Sequence, residues 1–294
     1  MMRHILVLGG TRFFGKRLVE RLLEDKDCEV TIVTRGETAD SFGNRVRRVH
    51  VNRRDQAALA EAVGDREWDV VYDNICFSPN DAAAACVIFS GKANRYILTS
   101  SLSVYDFSDR MITEEDFDAA VYTLQYGEAE DFSYKEGKRL AEAVLIQRAS
   151  FPVAAVRIPI VLGTDDYTRR LHFHIEHIRK GEPIAIDPKP QMSFIRSDEA
   201  ADFLYWLGGS NITGPVNACS NGALQMGELL SMIETVVGQK AMIVAEAPAE
   251  HSSPFYIRQP WFMDTTKARL AGYSFLDLAT WMPELITTLN RSYE

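Results

Sequence analysis

No apolar run in the 294-residue sequence approaches the roughly 20 residues that cross a bilayer, which excludes a helical membrane span. Met1-Met2-Arg3-His4 passes directly into an apolar stretch without a signal-peptide pattern, so a cytoplasmic protein is expected. Cysteine is scarce: Cys28, Cys76, Cys86 and Cys219 are scattered without C-x-x-C spacing. That excludes a disulfide framework and reads as reduced, small core residues. Internal repeats and low-complexity linkers are lacking too. A broad basic surface is also missing, since the net charge is −9. Nine acids between Asp106 and Asp131 face one base there, Arg110, and the remainder is near neutral. Arg45, Arg47, Arg48, Arg53 and Arg54 form the densest basic cluster. Strand alternation puts Arg45 and Arg47 on the face opposite Arg48, a poor phosphate track, so nucleic acid is not an expected partner. With 46% hydrophobic and 25% charged residues, the composition fits a soluble globular protein of one full domain and a smaller lobe.

What is present starts at the N-terminus. Ile5 to Leu8 reads as a short buried strand, and Phe14, Leu18, Leu22 and Leu23 recur at helical spacing beyond it. Between them lies Gly9-Gly10-Thr11-Arg12-Phe13-Phe14-Gly15. A glycine turn between a strand and a helix N-terminus is an anion site, because backbone N–H groups and the positive end of the helix dipole point into it. Gly9 and Gly10 permit the tight turn, and Gly15 lets the helix pack close to the strand. In a G-x-x-G-x-x-G spacing the middle glycine falls at Arg12. An arginine there must point away or lay its guanidinium over phosphates. The whole stretch from Gly9 to Gly15 is a candidate dinucleotide site.

Alternating elements follow. Strands are expected at Glu29 to Thr34, Arg45 to Val51, Asp69 to Asp73 and Tyr96 to Thr99, with helices at Ala57 to Val63 and Asp81 to Phe89. Such alternation means parallel strands with crossover helices, a Rossmann-type doubly wound α/β sheet. The second strand ends in Thr34-Arg35-Gly36. An acid at this place would accept the adenosine ribose 2′-hydroxyl, whereas an arginine accommodates a 2′-phosphate. NADP is therefore expected in preference to NAD, with Arg12 and Arg53 or Arg54 able to reinforce Arg35. A long helix from Phe132 to Ala149 and a strand at Val153 to Ile158 come next. Shorter elements then suggest a cofactor domain over 1–163, with some later elements returning to it, and a mixed α/β substrate lobe over 164–294.

Tyr134 and Lys138 lie four residues apart and share a helix face. A tyrosine needs a neighbouring positive charge to act as an acid/base near neutrality, which an ammonium supplies. Upstream, Thr99-Ser100-Ser101-Leu102-Ser103-Val104-Tyr105 ends a parallel strand, where such sheets bind ligands. A hydroxyl there could hold a substrate oxygen against Tyr134.

These motifs, together with Arg157-Ile158-Pro159-Ile160-Val161-Leu162-Gly163, Phe194 to Ala201 and Gly214-Pro215-Val216-Asn217, make the chain resemble an extended short-chain dehydrogenase/reductase of the NAD-dependent epimerase/dehydratase family. The Gly-Gly-Thr-Arg-Phe-Phe-Gly turn is most similar to an atypical branch that includes the chloroplast stem-loop RNA-binding proteins. The resemblance implies catalytic Ser101, Tyr134 and Lys138, with Lys138 binding nicotinamide ribose. It implies cofactor contacts at Gly9, Gly10, Thr11, Arg12, Phe13, Phe14, Gly15, Arg35, Asn52, Asn74, Ile75, Thr99, Tyr134, Lys138, Pro159 and Ile160, and no metal. Asn52 stands where the family commonly has an aspartate, and Asn74-Ile75-Cys76 replaces its usual pattern after the fourth strand.

The activity so implied is an epimerase, dehydratase or reductase acting on a sugar or sugar-nucleotide, with homodimerisation through the helices at Asp81 and Tyr134. A reductase of a small non-sugar carbonyl compound and a non-catalytic cofactor-sensing or RNA-binding scaffold are the alternatives. His172, His174, Glu176 and His177 lack metalloprotease spacing and are expected on a solvated or substrate-rim helix face. Phe203, Trp206 and Leu207 read as core. The acidic stretch before Tyr134 is expected to rim the active site.

Overall fold

A computed structural model describes residues 2–293. The first part alternates as expected: β1 (Arg3–Leu8), α1 (Phe13–Leu22), β2 (Cys28–Thr34), β3 (Val46–His50), α2 (Gln56–Val63), β4 (Val70–Asp73), α3 (Pro79–Ile88), β5 (Tyr96–Ser101), α4 (Tyr134–Arg148) and β6 (Val153–Ile158). Then come β7 (Ile160–Leu162), α5 (Arg170–Lys180), β8 (Pro183–Ala185), β9 (Gln191–Met192), β10 (Phe194–Arg196), α6 (Ser197–Gly208) and β11 (Gly214–Asn217). The chain closes with β12 (Leu224–Gln225), α7 (Met226–Val237), β13 (Met242–Val244), α8 (Thr266–Leu270) and α9 (Leu278–Arg291). Among the described residues no helix is long and apolar enough to cross a membrane.

The central sheet has seven strands in the order β11-β6-β5-β4-β1-β2-β3, every pairing parallel. Helices cover both faces, so its strands are continuous apolar runs rather than alternating ones. On one face Leu18, Val19 and Leu22 of α1 pack against Phe203, Leu204 and Leu207 of α6. On the other, Ala82, Ala85 and Ile88 of α3 meet Ala141, Val144 and Leu145 of α4. Residues beyond 163 thus return to this sheet: α6 packs on α1, and β11 pairs with β6. A separate core joins α5, α7 and α9 through Ile175, Ile178, Leu229, Ile233, Trp281 and Leu285. Trp206 is partly buried and stacks on Phe203 at 5.6 Å. The strand order reverses between β1 and β4, which opens a crevice above their carboxyl ends, where ligands of open α/β sheets bind.

The histidines of α5 correct the expectation of a solvated face. His172, His174 and His177 are all buried, at 6%, 0% and 8% exposure. His174 and His177 are covered by a segment some seventy residues later in the chain. His174 stacks on Phe255 at 4.6 Å and its Nε2 meets Ser253 Oγ at 2.8 Å. Burial pushes the His174 pKa down to about 3, which keeps the ring neutral. Helical period alone could not show a cover that distant in sequence.

One buried ion pair ties these layers together. Arg157 of β6 and Glu142 of α4 have fully buried side chains. Arg157 Nε donates to Glu142 Oε1 at 3.0 Å, Nη1 to Tyr105 Oη at 2.7 Å and Glu114 O at 2.8 Å, and Nη2 to Phe117 O at 2.9 Å. Ser100 Oγ donates to Glu142 Oε2 at 2.6 Å, and Tyr105 Oη to Asn217 Oδ1 at 2.7 Å. A buried pair this well satisfied contributes little beyond an apolar substitute, but removing one partner strands a charge. Glu142→Ala should therefore lower the unfolding free energy in urea titration by about 3–5 kcal/mol, and the double change Glu142→Leu with Arg157→Met should recover most of it. A loss within about 0.5 kcal/mol, the range of an ordinary surface substitution, would mean that the Glu114 and Phe117 carbonyls suffice to hold the guanidinium.

Candidate functional site

The crevice at the strand-order reversal is a cleft of about 450 Å³. Its walls include Gly9, Thr11, Arg12, Phe13, Phe14 and Gly15 from the first turn, Arg35 after β2, Asn52 after β3, and Asn74 and Ile75 after β4. The turn is shaped for close approach. Gly9 has φ +77°, and a Cβ on Gly15 would stand 2.9 Å from the Gly9 carbonyl. Gly10 lies underneath, where a Cβ would meet Val19 at 2.8 Å. Arg12, the N-cap of α1, has extended backbone and no side-chain cap, and the first turn carries no acid. The N–H groups that open α1 therefore face the cleft without a side-chain acceptor, which suits an anion. A dinucleotide's pyrophosphate fits this cradle.

Arg12 points away from the turn rather than into it. Its Nε donates to Thr38 Oγ1 at 2.9 Å, and its guanidinium lies 5.5 Å from the ring centre of Tyr167. The next residue, Phe13, takes φ +51°, a strained value for a bulky residue. Arg35 is exposed and pairs with Glu37 at 2.7 Å, and Arg54 pairs with Glu130 at 2.8 Å. Both are surface pairs that a phosphate could displace at little cost.

Arg53 is not available for a phosphate, which corrects the expectation that it could reinforce Arg35. Its side chain is buried, with Nη1 2.8 Å from Asp73 Oδ2 and Nε 3.4 Å from Asp81 Oδ1. Neither of those N–H groups is aimed at an acceptor, and only Nη2 makes a directed bond, to Asp81 O at 3.1 Å. Burial opposes the charge, and Asp73 foremost outweighs it, so the guanidinium braces the cleft floor. Much of the acidic stretch is paired, within itself, with α4 and with β11. Asp116 pairs with Arg110, Asp106 with Lys135 and Arg139, and Glu114 accepts from Asn217 N at 2.8 Å. Glu130 reaches the cleft edge through Arg54.

Thr99, Ser101, Tyr134, Lys138, Pro159 and Ile160 are not among the residues lining this cleft. A chain of hydrogen bonds leads to two of them. Asn74 Nδ2 donates to Gly9 O at 3.0 Å, and Thr99 Oγ1 to Asn74 Oδ1 at 2.7 Å. Lys138 Nζ donates to Thr99 O at 2.6 Å and to Cys76 O at 2.8 Å. Lys138 is buried with no carboxylate partner among the described residues, and its ammonium lies 5.2 Å from the ring centre of Phe77. Gly137 makes this placement possible, because a Cβ there would stand 2.7 Å from Phe77 O. Tyr134 opens α4 one turn earlier and is 58% exposed. Ser101 Oγ accepts from Ser103 N at 3.1 Å, and no hydrogen bond joins Ser101, Tyr134 and Lys138 among the described residues. Burial pushes the Cys76 thiol up to about 12, so it is no nucleophile near neutral pH.

Sequence reasoning missed Phe77 and Tyr167 as cleft-lining aromatics. Tyr167 sits just before α5, and its edge-on contact with Phe13 at 6.1 Å spans more than 150 residues of chain, a pairing no local pattern carries.

None of the curated proteins matches the chain. Solved structures do. The UDP-glucose 4-epimerase of Thermotoga maritima, crystallised with UDP-glucose, is 12% identical with a TM-score of 0.77, covering 99% of this chain and 100% of that one. The dTDP-glucose 4,6-dehydratase of Bacillus anthracis, in complex with NAD, is 12% identical with a TM-score of 0.78, covering 99% and 97%. The UDP-glucuronic acid 4-epimerase of Bacillus cereus, in complex with NAD, is 16% identical with a TM-score of 0.72, covering 99% and 100%. At these identities the likeness is one of fold. Residues 5–83, which carry the glycine turn, Arg35, Asn52 and the Asn74-Ile75-Cys76 turn, match the NAD dependent epimerase/dehydratase family.

Proposed function

We propose that this protein is an NAD(P)-dependent epimerase, dehydratase or reductase acting on a hydroxyl or carbonyl of a sugar or sugar-nucleotide. The observation that carries the reading is the Lys138 ammonium, buried without a counter-charge one helical turn from Tyr134 and linked through Thr99 and Asn74 to the phosphate-cradling turn. An uncompensated buried cation is unfavourable unless a ligand or a developing anion uses it. The family match over residues 5–83 supports a nicotinamide dinucleotide in the cleft. Sugar-nucleotides named with the fold's neighbours support the substrate class. Residues 1–163, with α6 and β11, serve the cofactor, and most of 164–294 forms the substrate lobe.

In this mechanism the nicotinamide supplies hydride acceptance and return. Tyr134 moves the proton at the substrate hydroxyl or carbonyl oxygen, and Ser101 orients that oxygen. Lys138 favours the phenolate of Tyr134 by its charge and holds the nicotinamide ribose. The uncapped N–H groups of α1 take the pyrophosphate. Arg35 releases Glu37 to take a 2′-phosphate, which makes NADP the preferred cofactor.

Two measurements test this. Calorimetric titration should give tighter binding of NADP(H) than of NAD(H). Arg35→Ala should weaken NADP(H) by about tenfold or more and leave NAD(H) nearly unchanged, since one charge-assisted contact is worth about 1.4 kcal/mol or more. Equal weakening of both would remove Arg35 from the 2′-phosphate. With UDP-glucose, UDP-glucuronic acid and dTDP-glucose as trial substrates, Tyr134→Phe should lower kcat about 10²–10⁴-fold while cofactor affinity holds. Wild-type turnover in that variant would refute the acid/base role.

A further inference from the structure

We propose that His177, Glu182 and His251 form a binding site for a divalent transition-metal ion, with zinc the best match, which clips the 249–253 segment to the C-terminal end of α5. Two separate pieces of chain converge there: α5 and its exit, with His177 in the last turn and Glu182 just past the left-handed Gly181 cap, and a short 3₁₀ turn, Ala249–His251, with His251. One ligand atom from each lies within 4.8 Å of the other two.

The spacing suits the ion. Tetrahedral zinc with arms of about 2.1 Å places neighbouring ligand atoms roughly 3.3–3.5 Å apart. His177 Nε2 is 3.2 Å from His251 Nδ1 and 3.7 Å from Glu182 Oε2, values that bracket this. The two imidazole planes stand at 86°, so the rings meet edge to face with nitrogens converging. His177 is also held as metal-binding histidines are. Its Nδ1 lies 2.8 Å from the Phe173 carbonyl, which assigns the proton to Nδ1 and leaves the Nε2 lone pair directed inward. Its ring is further fixed against Phe173, centroids 3.8 Å apart. With an ion bound, His251 would carry its proton on Nε2 and offer Nδ1. Two imidazoles and one carboxylate are a borderline-soft donor set that calcium and magnesium do not favour. The Glu250 carbonyl, 3.2 Å from His177 Nε2, stands close enough to complete the ligand set or to hold a bound water.

Position adds to chemistry. The C-terminal end of α5 presents the negative end of its dipole to the site, which favours a cation. The site is backed by ordered structure on both sides: Glu182 leads into β8, and Ser252, next to His251, bridges to Ala185 of that strand. Arg179, in the same turn of α5, reaches to Asn290 on α9. An ion there would brace the segment that covers His174 and carries Phe255 into the core of the C-terminal lobe.

The test uses the full-length chain freed of metal with a chelator and titrated with zinc chloride by calorimetry. The expected result is saturable binding of one ion per chain and a rise in Tm. Cobalt in its place should give the visible absorption of a tetrahedral site. His251→Ala and Glu182→Gln, both on partly exposed side chains, should keep the far-UV circular dichroism of the parent and weaken zinc binding about tenfold or more. No saturable binding would leave the two rings as a simple hydrogen-bonded pair, and undiminished binding in both variants would place the ion elsewhere. Either result overturns the proposal, and neither bears on the cofactor cleft.

Discussion

The buried pairing of Arg157 with Glu142 is the constraint on which the geometry around the proposed catalytic set depends. Glu142 lies one turn beyond Lys138 on α4, and the same carboxylate takes the hydroxyl of Ser100, the residue before Ser101. Arg157 reaches the carbonyls of Glu114 and Phe117, and Tyr105 carries the network to Asn217 on β11. One guanidinium thus sets the height of α4 above β5 and β6 and anchors the acidic segment between them. Its energetic role is specification more than stabilisation: each N–H has an acceptor only in this arrangement.

Around the proposed cofactor cleft the charges divide by burial. Arg53 is spent on the floor, where Asp73 and Asp81 hold it, while Arg12, Arg35 and Arg54 lie at the rim in contacts that a ligand could replace. The arginine in place of the middle glycine does not close the turn, because its extended backbone sends the side chain outward to Thr38 and Tyr167. The backbone strain in this turn sits at Phe13. Asn74 bridges two elements: its amide joins the Gly9 carbonyl to the Thr99 hydroxyl, which ties the turn to the end of β5.

The C-terminal lobe follows another logic. Its paired strands are only two or three residues long, so hydrogen-bonded sheet contributes little there. Three amphipathic helices and buried aromatic and imidazole rings fill the core instead. A lobe assembled from such small pieces gains most from a cross-link between distant segments, which is what a metal at His177, Glu182 and His251 would provide.

The sequence by itself determined the doubly wound sheet, the glycine turn and its cleft, and the elements bearing Ser101, Tyr134 and Lys138. These rest on local patterns: apolar runs bounded by turns, glycines where Gly15 must approach the Gly9 carbonyl, and a four-residue repeat along one helix. Only the tertiary structure decided the fate of individual polar side chains. Arg53 and Arg54 are adjacent and chemically identical, yet one is buried on two aspartates and the other exposed at the rim. His174 of α5 is buried because Ser253 and Phe255 return over it. Lys138 is buried against the carbonyls of Cys76 and Thr99, where Gly137 lets α4 approach the Phe77 carbonyl closely. In each case the deciding neighbour lies tens of residues away, and burial, unlike periodicity, is a property of the neighbours rather than of the residue.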